Sequence, residues 1–194
     1  MTLTYRTFEG EQIADVLEDF ARLRIKVFRD WPYLYDGDLN YELQYLAGYT
    51  RPGTVLVGAY AENRLVGAAT GMPLLNHADD FAQAFADTDT DFRSTFYCAE
   101  SVLLPTFRGQ GAGRVFFQDR EAFARRENYT YSTFCAVIRP DIHNARPPDY
   151  RPLDPFWRGL GYAPLPDVIA RFSWRDIGDE AETKKPLQFW MKIL

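Results

Sequence analysis

The spacing of apolar residues changes along the chain and marks out one element after another. Near the start, "LTYRTF" alternates as a short half-buried strand does. From Ile13 the apolar positions Ile13, Val16, Leu17, Phe20, Leu23 and Val27 recur every three or four residues, which predicts an amphipathic helix over 11–29. Pro32 and Gly37 in "DWPYLYDGD" break that pattern, and a shorter helix around "LNYELQYLAGY" is expected to end near Gly48. "TVLVGAYA" and "LVGAATGM" are β-prone runs joined by "ENR". They predict a hairpin, with Asn63 taking the positive φ of its turn. The acidic stretch 76–93 carries Phe81, Ala84 and Phe85 at helical spacing and reads as a surface helix and loop. "TFYCAESVLLP" reads as one long apolar strand ended by Pro105. A helix over 111–127 follows, then a buried strand, "YSTFCAVI", and a Pro- and Arg-rich loop over 139–155. "LDPFWRGLGY" gives a short helix closed by Gly161, and "IARFSWR" and "LQFWMKIL" give two late strands. Without a repeat, linker or low-complexity tract, this order predicts one α/β domain over residues 1–194.

Composition narrows the function classes. The 194 residues are 46% hydrophobic, 25% charged and 16% aromatic, which suits a soluble protein with a ring-rich core or pocket. A net charge of −5 argues against nucleic acid as a partner, because phosphate binding needs a basic face. "MTLTYRTFEGEQ" lacks the basic start and apolar centre of a signal peptide, and no apolar run approaches membrane-spanning length, so a cytoplasmic protein without a membrane partner is expected. Cys98 and Cys135 lack metal-type spacing and read as buried reduced thiols; no metal is expected. The sequon at Asn128 carries little meaning without a secretion signal.

The stretch that points to chemistry is "LLPTFRGQGAGRVFF", residues 103–117, where strand, proline, glycine-rich loop and helix follow one another. Glycines let backbone N–H groups turn inward at a helix start, where the helix dipole adds partial positive charge; Arg108 reinforces this anion cradle. The dinucleotide fingerprint G-x-G-x-x-G fails because Arg114 stands at the third glycine, and the G-K-[ST] of a nucleotide P-loop is absent. G-x-S-x-G, the serine-hydrolase elbow, is absent too.

The loop does match Q/R-x-x-G-x-G/A, through Arg108, Gly111 and Gly113, and so resembles the pyrophosphate loop of the GCN5-related N-acetyltransferases. The element order resembles that fold over nearly the whole chain, and "DPFWRGLGY" (154–162) resembles the family's later aromatic helix ending in Gly-aromatic. The resemblance implies a mixed, mostly antiparallel sheet flanked by helices, with strands splayed at the cofactor site. It also implies acetyl-coenzyme A as cosubstrate, held by Arg108, Gly109, Gln110, Gly111, Ala112 and Gly113, with Val102 and Leu104 along the pantetheine and Phe156 nearby. It further implies direct acetyl transfer to the primary amine of a small molecule or peptide.

Glu100, on an otherwise apolar strand, is implied as general base or substrate anchor, with a structural ion pair to an arginine as the alternative. The thiolate's proton often comes from a tyrosine in the later helix, but Trp157 stands at that place here, leaving Tyr150 or Tyr162, or water. The acceptor side is expected at "WPYLYDGD", where Tyr33, Tyr35 and Asp36 suit a cationic amine. The alternative there is rings in the core and aspartates capping the next helix. His143 is either an acceptor-site residue or an exposed loop histidine. Two further readings stay open: an acyl-coenzyme A sensor without catalysis, and an unrelated phosphate-binding α/β protein. A homodimer through the late strands is a further expectation.

Overall fold

The computed structural model describes residues 2–194. Eight strands form one sheet: β1 (Thr4–Glu9), β2 (Val55–Ala61), β3 (Arg64–Pro73), β4 (Thr95–Tyr97), β5 (Ser101–Leu103), β6 (Tyr131–Val137), β7 (Ala163–Trp174) and β8 (Thr183–Ile193). Their spatial order is β1-β2-β3-β4-β6-β8-β7, with β5 also paired to β3. Only the β4–β6 pair is parallel among these. The helices are α1 (Leu17–Phe28), α2 (Leu39–Leu46), α3 (Ala78–Phe81), α4 (Ala112–Arg126) and α5 (Asp154–Gly159).

Strand alternation sends successive side chains to opposite faces of the sheet, and each face has its own cover. Leu56, Ala68, Met72, Val102 and Phe189 pack with Phe20, Ala21 and Leu46 from α1 and α2. On the other face, Val57, Ala59 and Ala69 meet Phe116 of α4, and Val55, Phe96, Phe134 and Trp190 meet Phe117, Phe123 and Phe156. Complete burial of a ring such as Phe20 contributes roughly 2–3 kcal/mol, which is why the apolar stripe of α1 fixes its orientation.

Several local expectations are corrected. The start of the first helix is a 3-10 segment, Gly10–Val16, before α1 proper. In the β2–β3 hairpin Glu62, not Asn63, has positive φ, at 57°. The acidic stretch is not a surface helix. Only the single turn of α3 is α-helical, and Phe81 and Phe85 are sunk against Phe189 at ring separations of 5.0 and 4.6 Å. Burying three rings together outweighs the polarity of their neighbours, whose carboxylates stay outside.

The expected long strand is divided. Ala99 and Glu100 both face Thr70: Ala99 N–H donates to Thr70 O at 3.0 Å, and Thr70 N–H donates to Glu100 O at 3.0 Å. This β-bulge steps the register by one residue between β4 and β5. It also separates their partners. The β4–β6 register ends at Tyr97 and Thr133, followed by Cys98 N–H donating to Thr133 O at 2.8 Å, while β5 pairs with β3 alone. The sheet is therefore splayed between β5 and the far half of β6.

Candidate functional site

Beside the splay, the chain passes through Pro105–Phe107 and a glycine-rich turn into α4. Gly109 and Gly111 have φ of 75° and 88°, a left-handed conformation that L side chains rarely adopt. The turn leaves the N–H groups of Gly109, Gln110, Gly111, Ala112 and Gly113 without a hydrogen-bond partner among the described residues. Five consecutive free amides at the start of a fifteen-residue helix form a positive concavity suited to an anion. Arg108 adds charge; its Nε is tied to Leu103 O at 3.2 Å, which fixes it between loop and strand. Phe156 packs α5 onto the helix start, where a Cβ on Gly113 would lie 3.2 Å from its ring. A surface depression of about 470 Å³ flanks the outer side of the turn, lined by Thr2, Leu3, Tyr5, Gln110, Gly111 and Val115.

The strand leading into this turn carries a second set of free backbone groups. Leu104 N–H donates to Val66 O at 2.9 Å and Glu100 O accepts from Thr70, so Glu100, Val102 and Leu104 direct their main-chain groups at β3. By alternation Ser101 and Leu103 point theirs the other way, into the splay. Ser101 N–H, Ser101 C=O and Leu103 N–H have no partner among the described residues. Ser101 is exposed although its strand lies mid-sheet. Val102 and Leu104, the expected contact positions, are thus the wrong parity for backbone contact. The bulge leaves the main-chain groups of Ser101 and Leu103 free instead.

Glu100 is buried on the α1–α2 face within a saturated network. One oxygen accepts from Arg24 and, at 2.7 Å, from Tyr49; the other accepts from Thr70 Oγ1. Arg24 also donates through Nε to the fully buried Glu42 at 2.6 Å. Burial alone would lower the Arg24 pKa, but Glu100 and then Tyr45 and Glu42 hold it well above the ordinary value. The geometry here is the ion-pair arrangement, which sequence reasoning had as an alternative, and Arg24 itself was missed.

The other expected residues divide in two. Tyr33 packs on Phe28 at 4.4 Å, and Arg139 reaches across to Tyr33 O at 2.6 Å and Pro32 O at 2.7 Å. This clamp brings the 139–153 loop over the 30–36 segment, where Trp31 meets His143 at 4.9 Å and Tyr150 at 6.0 Å. His143, Tyr150 and Trp31 therefore lie together, with Tyr33 packed beneath the same loop between Phe28 and Trp174, and burial raises the Tyr33 and Tyr150 phenol pKa values. Tyr35 is turned toward Glu42, and burial first, then that carboxylate, raises its pKa. Asp36 is matched by Arg175 at 2.7 Å and Arg29 at 3.5 Å, so its charge is already answered. Asp38 caps α2 by accepting from Tyr41 N–H at 3.0 Å.

Tyr162 belongs elsewhere. It is 2% exposed under α4, shares a hydrogen bond with Ser132 at 2.7 Å and donates to Glu121 at 3.1 Å; burial, then Cys98 and Glu121, push its pKa far up. It is a core hydroxyl without access to the splay. Arg120 was also missed by sequence reasoning. It is 1% exposed and bonds to the main chain at the bulge.

A mixed sheet parted beside a glycine-rich helix start is the fold of the GCN5-related N-acetyltransferases, and this chain has that fold. Among solved structures it is similar to a ribosomal-protein-alanine N-acetyltransferase from Brucella melitensis, with 16% identity, full coverage of both chains and a TM-score of 0.61. It is also similar to a phosphinothricin acetyltransferase from Sinorhizobium meliloti in complex with acetyl-coenzyme A. That match has 15% identity, covers 100% of this chain and 89% of the other, and has a TM-score of 0.62. The PaiA N-acetyltransferase of Thermoplasma acidophilum in complex with coenzyme A matches at 10% identity over both full chains, with a TM-score of 0.56. At these identities the likeness is one of fold. No protein-family model matches the sequence, and no curated protein matches it. No helix among the described residues is long and apolar enough to cross a membrane.

Proposed function

We propose that the protein is an acetyl-coenzyme A-dependent N-acetyltransferase acting on the primary amine of a small molecule or peptide. The observation that carries this reading is the succession of two sets of unpaired main-chain groups, those of Ser101 and Leu103 and then the five amides of 109–113 in the turn that follows. The first set suits the amide-bearing arm and carbonyl of an acyl thioester and the second suits a diphosphate. Two neighbours of the same fold carry coenzyme A or acetyl-coenzyme A, which supports the same reading.

When bound, the cosubstrate supplies a thioester carbonyl at which the carbon–nitrogen bond forms as the carbon–sulfur bond breaks; the amine gives up a proton and the sulfur gains one. The chain's part is positioning. Ser101 N–H and Leu103 N–H orient and polarise, and the Trp31–His143–Tyr150 cluster, with Tyr33 beneath the same loop, holds the acceptor beside them. Tyr150, whose pKa burial raises, stays protonated at neutral pH and is the candidate donor to sulfur. Glu100, with both oxygens engaged, anchors the strand and the acceptor floor.

Calorimetry with coenzyme A and thiol release from acetyl-coenzyme A against a panel of amines test this directly. Binding with release dependent on one class of amine is the expected result, and no binding of coenzyme A overturns the reading. A second reading, an acyl-coenzyme A sensor, is favoured by Trp157 at the usual tyrosine place and by the saturated Glu100; it predicts tight binding with no thiol release on any amine.

A further inference from the structure

Arg120 is a buried cation with no carboxylate within 4.0 Å among the described residues. Leaving a charge unpaired in a low-dielectric interior is costly, so its neutral partners need explaining. Nε donates to Phe116 O of its own helix at 3.1 Å, Nη2 donates to Ser101 Oγ at 3.0 Å, and the guanidinium lies 4.8 Å from the Phe117 ring centroid. Nη1 reaches the bulge, donating to Thr70 O at 2.9 Å and Glu100 O at 3.0 Å. Glu100 O also accepts from Thr70 N–H, so this one carbonyl takes two hydrogen bonds, one from a full positive charge.

The carbonyl of Glu100 and the N–H of Ser101 belong to the same planar trans peptide unit and point in opposite directions. A cation bonded to the oxygen draws electron density from the nitrogen and makes the N–H a stronger donor, as bonds in a chain polarise one another. That N–H is the free one facing the splay. We propose that Arg120 is a positioning and polarising residue, which acts through the Glu100–Ser101 peptide to strengthen the Ser101 N–H as a donor to the acyl carbonyl. This inference rests on the transferase reading for its catalytic consequence, but its electrostatic core belongs to the unliganded protein.

The test compares Arg120→Met, Arg120→Gln and Arg120→Lys by two readouts. The first is base-catalysed hydrogen exchange of the Ser101 amide in the unliganded protein, followed by NMR. A cation-polarised amide is more acidic, so exchange should slow severalfold in the two neutral variants and stay near the parent rate in Arg120→Lys. Loosening of the strand would speed exchange, so the direction separates polarisation from a purely structural role. Arg120→Gln, which can still donate to Glu100 O, covers the case in which Arg120→Met does not fold. The second readout is steady-state kinetics. The neutral variants should lower kcat about tenfold, short of the ~100-fold expected for removing a donor outright, with little change in the KM for acetyl-coenzyme A. Unchanged or faster Ser101 exchange in both neutral variants overturns the inference. Slowed exchange with unchanged kcat overturns its catalytic half. Failure of the parent protein to bind coenzyme A overturns the transferase reading instead, and the exchange result judges the polarisation separately.

Discussion

The two sides of the strand from Cys98 to Leu104 are built on opposite principles. Toward the splay and the glycine turn, main-chain donors are left without partners. Toward α1 and α2, Glu42, Arg24, Tyr49, Thr70 and Glu100 exchange hydrogen bonds that engage both oxygens of Glu100 and one of Glu42. Unpaired main-chain groups are normally avoided, and here they collect in the strand and the turn that follows it, while Arg24, Glu42 and Glu100 on the α1–α2 side are paired with one another. The difference supports the proposed binding on the first side and makes the second the brace that holds the strand in its bulged form. A carboxylate on an apolar strand can therefore be structural even beside a candidate site.

The largest test of that contrast is Arg24→Met. It strands Glu42 and Glu100 as buried carboxylates and should cost about 3–5 kcal/mol of stability in denaturant unfolding. Combining it with Glu42→Gln and Glu100→Gln should recover much of the loss; a single variant as stable as the parent would end the description of this side as a brace. On the binding side, Gly111→Ala meets no neighbour within 4 Å but forces an L residue to φ near 88°, at a cost of about 1–2 kcal/mol. Relief of that strain by moving the turn should weaken coenzyme A binding about tenfold by calorimetry, with the core intact.

A pH titration sharpens the contrast at a third place. Burial alone would raise the Asp176 pKa, but hydrogen bonds and charge from Arg139 and Lys185 prevail and depress it. A carboxylate depressed on folding stabilises the protein above its unfolded pKa, near 3.9, and that contribution is lost as pH falls through the folded value. Asp176→Asn should therefore flatten the fall in stability below about pH 4 and loosen the clamp of Arg139 on the 30–36 segment. The smallest effect is expected at the thiols. Burial pushes Cys135 up to about 12, and Cys98 upward as well, so neither should react with a thiol reagent at neutral pH before the protein unfolds.

What was legible in the sequence was what local physics dictates. The glycine turn could be read because a left-handed backbone before a helix selects glycine, and the apolar stripe of α1 because its period is that of the helix. The bulge could not, since nothing in "YCAESVL" announces that two residues will face one, and without it the parity of Val102 and Leu104 came out wrong. Arg24 and Arg120 were missed for a related reason: their partners lie on strands far away in the chain. Both did leave a trace. Arg24 lies four residues after Phe20 and beside Leu23, and Arg120 lies between Phe116–Phe117 and Phe123–Ala124, so each interrupts an apolar stripe where a surface charge would be out of place. The acidic run around Phe81 misled in the opposite way, because its net polarity hid two rings that converge with Phe189 only in the folded chain.

The bulge at Ala99 and Glu100 also sets a counting rule for the gene. Three residues, 98–100, stand opposite two, 70 and 71, so this stretch carries one surplus codon. Deleting the Ala99 codon would leave a regular ladder in which Tyr97 still faces Met72 and Ser101 still faces Ala69, and the groups that line the opening would keep their direction. Deleting the Val102 codon has no surplus to absorb it, and would exchange the main-chain groups after it for those now committed to β3. The same loss is thus absorbed at one position and disruptive three positions later.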